Sequence, residues 1–193
     1  MLSHITNTQI IFTAVALIVV LVIAIITDRQ IRKARTASIR KRFGPEYDRA
    51  VLLHGTSQKA EAKLVGRETR VSALKIRELT ANERERFAVE WQTVQSRFVD
   101  QPVAAVTEAD NLIAALLVAR GYPRETFEQS AADLSVTYPR MMESYRVAHA
   151  IAVRPRGSEA STEELRTAMI QSRAIFDELI LVQSPQEKKS AAA

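Results

Sequence analysis

An uninterrupted apolar run near the start of the chain constrains its architecture more than any other feature. Residues Ile10 to Ile26 read IIFTAVALIVVLVIAII, and Thr13 is the only polar residue among them. An α-helix rises about 1.5 Å per residue, so about 17 to 20 residues cross a hydrocarbon core of roughly 30 Å. The run therefore predicts a transmembrane helix over residues 10–27, preceded by a short external N-terminus over residues 1–9.

Two other interpretations of the run are a cleaved signal peptide and a buried core helix. A signal peptide has a basic start, an apolar core of about 7–15 residues and a cleavage site of small residues. The residues before Ile10 contain neither Lys nor Arg, and no small-residue cleavage pattern follows Ile26. These features favour a retained membrane span.

The positive charge of the chain is concentrated directly after the span. Between Asp28 and Arg42 the net charge is +6, whereas the whole chain carries +5, so the remainder is nearly neutral. Lys and Arg are retained on the cytoplasmic side of a membrane, which predicts an external N-terminus and a cytoplasmic C-terminal domain. We call these basic residues the basic collar: Arg29, Arg32, Lys33, Arg35, Arg40, Lys41 and Arg42.

The basic collar is predicted to contact anionic lipid headgroups. Ile31, Ile39 and Phe43 recur at helical spacing, as in an amphipathic segment over residues 28–43 that lies at headgroup level. Each basic residue near the surface contributes about 1 kcal/mol of attraction to anionic lipid. A plain stop-transfer flank is an equally good interpretation. A nucleic-acid tether is disfavoured, because no aromatic residue precedes Phe43 in the collar to stack on bases.

The rest of the chain predicts an all-α domain of about six helices over residues 44–182, followed by a disordered tail over residues 183–193. No segment alternates long enough for a strand, and the 5 Gly and 6 Pro residues are too few for a loop-rich β protein. The predicted helices begin or end at the following signals: Pro45 and Gly55, Ser57 and Ile76, the capping box Thr80 with Glu83, Pro102 and Gly121, Tyr122 with Pro123, Pro139 with Pro155 and Gly157, and the capping box Ser161 with Glu164.

Apolar residues at helical spacing predict the core of this domain. Phe87, Trp91, Val94 and Phe98 form one aromatic-rich face, for which core packing is favoured over a ligand pocket. Further predicted stripes are Val106, Ala109, Ile113 and Leu116; Met142, Tyr145, His149 and Ala152; and Leu165, Met169, Phe176 and Leu179.

The sequence offers no assembled catalytic or cofactor site. It lacks a phosphate-binding glycine loop, a G-x-S-x-G elbow and an H-E-x-x-H pair, and it contains no cysteine. We therefore expect no metal, no cofactor, no small-molecule substrate and no enzyme activity. His149, with Tyr145 and Glu143 nearby, is predicted to be a half-buried histidine at a helix interface. Asp133, Asp177 and Glu178 are predicted to be solvated charges.

Six segments of the chain resemble a family of uncharacterised bacterial single-pass membrane or secreted proteins. The resemblance implies a bacterial source and a recurring helical domain behind a hydrophobic N-terminus, and it implies no activity. The segments are RFGPEYDR (Arg42 to Arg49), RFAVEWQTVQSRFVDQP (Arg86 to Pro102), RGYP (Arg120 to Pro123), FEQSAADLSV (Phe127 to Val136), ESYRVAHAI (Glu143 to Ile151) and TEELRTAM (Thr162 to Met169).

The sequence thus favours a non-catalytic scaffold or interaction module, anchored in the bacterial cytoplasmic membrane, that binds a protein partner of unknown identity. The alternative is a membrane-tethered regulator that binds nucleic acid through the basic collar. A further alternative is an enzyme whose site leaves no recognisable motif.

Overall fold

The computed structural model describes residues 7–155 and 160–181, with side chains from residue 12 onward. These ranges are helical without a strand, which confirms the all-α class. Within the described ranges seven α-helices follow the N-terminal one, where the sequence predicts about six. The bounds are α1 Asn7–Phe43, α2 Pro45–His54, α3 Ser57–Ala73, α4 Ala81–Arg97, α5 Pro102–Ala119, α6 Phe127–Thr137, α7 Met142–Ala152 and α8 Thr162–Leu181, with a 3₁₀ turn at Pro139–Met141 before α7.

The chain divides into two compact units between Arg42 and Phe43. The first unit is essentially α1, which continues through the predicted end of the span at Thr27 without a break. Its apolar portion is long enough to cross a membrane, and none of that portion is buried. Each large apolar side chain of this portion is at least 44% exposed: Phe12, Val15, Leu17, Ile18, Val19, Val20, Leu21, Val22, Ile23, Ile25 and Ile26.

A second helix, α5, is also long and apolar enough to cross a membrane. It packs against α4, α7 and α8, and its inward residues are among the most buried in the chain. The predicted stripe of Val106, Ala109, Ile113 and Leu116 is buried throughout. In this protein α5 is therefore the central core helix of the second unit.

The predicted aromatic face of α4 is confirmed as core. Phe87, Trp91 and Val94 are buried, whereas Phe98 lies at the end of α4 and is half-buried. Trp91 stacks on Phe176 of α8, with ring centroids 4.7 Å apart. In the stripes of α7 and α8, Met142, Tyr145, Leu165, Met169, Phe176 and Leu179 are buried, and His149 and Ala152 are half-buried.

Both predicted capping boxes are present. The Thr80 hydroxyl accepts a hydrogen bond from the Glu83 amide, and the Glu83 carboxylate accepts one from the Thr80 amide. Ser161 and Glu164 make the same reciprocal pair at the start of α8. These contacts satisfy amide groups that have no partner inside the helix, which explains where α4 and α8 begin.

The predicted start of α6 at Tyr122 and Pro123 is wrong. The helix begins at Phe127, because the Thr126 hydroxyl caps it by accepting a hydrogen bond from the Gln129 amide. Before it, Gly121 has a φ of +93° and lies against the carbonyl group of Lys75. The predictions made for Gly157, for most of the external N-terminus and for the tail over residues 183–193 lie outside the described residues.

Candidate functional site

The seven residues of the basic collar are all exposed on α1. Arg32 makes an ion pair with Asp28 one turn earlier, with 2.7 Å between Nε and Oδ2. Since α1 is continuous, distances along its axis follow from the helical rise. Lys33 lies about 9 Å beyond Thr27, and Lys41 lies about 21 Å beyond it.

These axial distances separate the first three residues of the collar from the last three, with Arg35 between them. The headgroup layer is only about 5 to 8 Å thick on each side of the hydrocarbon core. If the span ends at Thr27, Arg29, Arg32 and Lys33 would be within reach of that layer, because long basic side chains extend toward lipid phosphates. Arg40, Lys41 and Arg42 lie more than a Debye length farther along the helix. If α1 crosses a bilayer along its normal, the last three collar residues lie beyond the headgroup layer, whereas the amphipathic segment that the sequence predicts would lie along it.

In the second unit, a buried ion-pair network connects residues far apart in sequence. Glu46 of α2 accepts hydrogen bonds from both terminal nitrogens of Arg146 in α7, at 2.6 and 2.8 Å. Arg67 of α3 lies 3.5 Å from the same carboxylate and donates a hydrogen bond to Ser135 of α6. Burial lowers the pKa of Arg67, and the nearby charge of Arg146 lowers it further while Glu46 opposes the shift. The network joins α2, α3, α6 and α7.

The prediction that Asp133 is solvated is wrong. Its side chain is buried and accepts hydrogen bonds from Arg70 Nε at 3.1 Å and from Gln129 at 2.8 Å. Arg70 also pairs with Glu125 at 2.6 Å. By contrast, Glu178 is exposed and Asp177 is partly exposed, so these two charges are solvated as predicted.

Arg120 is a buried charge that sequence reasoning missed. Its side chain donates hydrogen bonds to the Leu179 carbonyl oxygen at 2.7 Å and to the Tyr138 hydroxyl at 3.3 Å. Arg120 therefore connects the end of α5 to α8 and to Tyr138.

His149 lies at a helix interface and is half-buried, as predicted. Its Nδ1 lies 3.0 Å from both carboxylate oxygens of Asp110 on α5. The imidazole ring stacks in parallel on Phe127 of α6, with centroids 3.6 Å apart. No local sequence signal points to this pair, because Asp110 precedes His149 by 39 residues.

His149 and Asp110 line a cavity of about 180 Å³ together with Tyr145. A separate groove of about 440 Å³ lies between α4 and α8, and Trp91 and Phe176 form part of its wall. The aromatic face therefore contributes to both the core and a surface groove. Within residues 7–155 and 160–181, no three His, Cys, Asp or Glu side chains are grouped so as to hold a metal ion.

Comparisons with protein-family models, with curated proteins and with solved structures found no match to this chain.

Proposed function

We propose that this protein is a single-pass membrane protein whose helical domain acts as a non-catalytic scaffold on the cytoplasmic face of a bacterial membrane. The observation that carries the proposal is the exposure of every large apolar side chain of α1 between Phe12 and Ile26. A helix that is apolar on all sides needs an apolar environment, which a bilayer supplies.

The orientation follows from charge. The exposed basic collar lies at the C-terminal end of the apolar portion, and the residues before Ile10 carry no Lys or Arg. The positive-inside rule therefore favours a cytoplasmic helical domain. Arg29, Arg32 and Lys33 would contact anionic lipid, whereas Arg40, Lys41 and Arg42 would lie in the aqueous phase.

A partner-binding role is supported by an exposed apolar pair in the second unit. Leu52 and Leu53 at the end of α2 are 85% and 63% exposed. Scattered single apolar residues are ordinary on a protein surface, whereas large contiguous apolar patches mark interaction sites. We propose that these two leucines contact the protein partner.

The topology is tested by fusing alkaline phosphatase or green fluorescent protein after Ala193 in a bacterial host. The phosphatase is active only outside the cytoplasm, and the fluorescent protein becomes fluorescent in the cytoplasm but not after export in the unfolded state. We expect fluorescence without phosphatase activity. Phosphatase activity without fluorescence would contradict the cytoplasmic placement of the domain.

The scaffold role is tested by placing a photocrosslinking amino acid at Leu52 in the full chain in living cells. One dominant protein adduct is expected, and the same amino acid at the exposed Arg166 should give none. Adducts identical at both positions would argue against a specific surface. Recovery of nucleic acid with the full chain, lost steeply as salt is raised, would instead favour the nucleic-acid alternative.

A further inference from the structure

The centre of the groove between α4 and α8 is apolar. Both helices pack on α5, and the stacked rings of Trp91 and Phe176 form part of the groove wall. Ala88 extends the apolar lining on the α4 side and Ile180 extends it on the α8 side, and the volume is about 440 Å³. Binding pockets commonly have volumes of about 300 to 1,000 Å³. The groove is therefore large enough to accept side chains of another molecule.

An exposed apolar side chain lies at the same groove. Leu181, at the end of α8, belongs to the groove lining and is nevertheless 77% exposed. Burying an exposed leucine is favourable, because its apolar surface leaves water. We call the surface formed by the groove and Leu181 the α4–α8 patch. This patch holds both an apolar groove and an apolar side chain of the kind that fills one.

The charged residues of the α4–α8 patch differ in whether they have partners. On the α8 side, Arg173 pairs with Asp177 at 2.7 Å, so these two charges compensate each other within one chain. On the α4 side, Arg84 donates a hydrogen bond to the Leu79 carbonyl oxygen at 2.8 Å and has no carboxylate partner among the described residues. Glu85 makes no hydrogen bond or ion pair within the same ranges. One positive and one negative charge are therefore available on this side.

Arg84 and Glu85 do not face each other. Consecutive residues project about 100° apart around an α-helix, because one turn contains 3.6 residues. Adjacent opposite charges of this kind are self-complementary across a two-fold axis, where residue i of one copy meets residue j of the other and j meets i. A two-fold axis also allows Leu181 of each copy to enter the groove of the other.

We propose that the α4–α8 patch is a self-association surface, occupied by the same patch of a second copy of this chain. In the symmetric dimer, Leu181 of each copy enters the apolar groove of the other, and Arg84 of each copy pairs with Glu85 of the other. A second copy is the occupant that matches the patch in both shape and charge. This surface is distinct from the exposed pair Leu52 and Leu53, and the proposal does not depend on the membrane orientation of the domain.

Sedimentation equilibrium of the full chain in density-matched detergent micelles measures the dissociation constant of the dimer. We expect a monomer–dimer equilibrium at micromolar protein concentration. Leu181→Ala should weaken association about tenfold or more, since each dimer loses two buried leucines. Leu52→Ala is the matched control, because Leu52 is 85% exposed in the last turn of α2 and does not line the groove. It should leave the dissociation constant unchanged.

A charge swap tests the pairing of Arg84 with Glu85 across the axis. Arg84→Glu and Glu85→Arg each place like charges opposite one another, so each alone should weaken association severalfold. The double variant should restore association, because it exchanges the two signs and keeps their complementarity. Arg140→Glu, at an exposed arginine that does not line the groove, should have no effect. Circular dichroism checks that each variant keeps its helices.

Three results would overturn the proposal. The first is a full chain that stays monomeric at hundreds of micromolar, which would assign the groove to another occupant, such as the residues after Leu181 or a different protein. The second is an equal effect, or no effect, of Leu181→Ala and Leu52→Ala, since association would then use another surface, such as α1. The third is a double charge variant as weak as the single ones, since the two charges would then not meet across an axis.

Discussion

Glu46 and Arg146 are 100 residues apart in sequence and form a two-pronged ion pair, with N–O distances of 2.6 and 2.8 Å. The Glu46 side chain is 4% exposed and that of Arg146 is 18% exposed. The pair therefore connects α2, the first helix of the second unit, to α7 of the same unit. Arg67 adds a second positive charge beside the same carboxylate.

Glu46→Gln should strongly destabilise the helical domain. The substitution leaves Arg67 and Arg146 close together without their shared anion, and breaking a buried pair in this way costs about 3–5 kcal/mol. Urea unfolding of the full chain in mild detergent measures the free energy of unfolding. Trp91, the only tryptophan and a buried one, provides the fluorescence signal.

Asp177→Asn is the matched control for Glu46→Gln. Asp177 pairs with Arg173 at 2.7 Å, but both side chains are more than 40% exposed. Exposed pairs contribute at most about 1 kcal/mol. Equal effects of Glu46→Gln and Asp177→Asn would contradict a structural role for the buried pair.

Sequence patterns within a single helix predict where α4 and α8 begin and which face of α4 is buried. The capping boxes at Thr80 and Ser161 lie within four residues, and the stripe of Phe87, Trp91 and Val94 follows one helical face. Such signals depend on neighbours along one helix, so a single sequence is enough to read them. The same signals do not locate the start of α6, because both Pro123 and Thr126 are suitable residues for a helix start.

The polar contacts between helices are not predictable in the same way. The sequence predicts a solvated Asp133, yet this residue pairs with Arg70, which precedes it by 63 residues. Asp110 and His149 meet only because α5 and α7 pack together. Arg67 offers a clue, since it continues the spacing of three and four residues that the buried residues Ala60, Leu64 and Val71 follow along α3. A charged residue at such a position indicates a buried polar partner.

Gly121→Ala should destabilise the domain, whereas Gly66→Ala should stabilise it. Gly121 has a φ of +93°, and a Cβ there would overlap the carbonyl oxygen of Lys75. Strain of this kind costs about 1–3 kcal/mol. Gly66 lies within α3, and an alanine methyl group there would extend into open space. Gly66→Ala should therefore raise the free energy of unfolding by about 0.5–1 kcal/mol. Urea unfolding measures both, and a loss of stability in both variants would contradict the expectation for Gly66.

Trp91→Ala should lower the free energy of unfolding by about 3–5 kcal/mol. The substitution removes the largest buried side chain among the described residues and its stacking contact with Phe176. Val89→Ala on the same helix is the control, since Val89 is 56% exposed. The unfolding of each variant in urea is followed by the loss of circular dichroism at about 222 nm, the α-helical band. Similar stabilities of the two variants would show that the aromatic face is not part of the core.

Acid should weaken the two capping boxes. A hydrogen bond from Arg77, followed by one from the Thr80 amide, holds the pKa of Glu83 well below its usual range. Contacts with Arg154 and with the Ser161 amide lower the pKa of Glu164 to about 2. Unfolded glutamate has a pKa of about 4.3, so the unfolded chain takes up protons first as the pH falls. The stabilisation is complete above about pH 5 and is lost as the pH falls toward about 2.

The test of this pH dependence compares the full chain with Glu164→Gln in urea at about pH 6 and about pH 3, on either side of the unfolded pKa. The free energy of unfolding should be lower for Glu164→Gln than for the unchanged chain at the higher pH. This difference should become smaller at the lower pH. Glu163→Gln serves as the control, because Glu163 is 76% exposed and does not belong to the capping box. A difference that is constant with pH would contradict the contribution of the charged Glu164.

The division of the basic collar predicts different membrane depths for Lys33 and Lys41. The chain has no cysteine, so Lys33→Cys and Lys41→Cys each accept a single spin label. In bilayers containing anionic lipid, the label at position 33 should be partly shielded from a water-soluble paramagnetic chelate. The label at position 41, about 12 Å farther along the helix, should be as accessible as a label in water. Equal shielding at both positions would show that the collar lies along the surface, as an amphipathic segment would, and that α1 bends after the span.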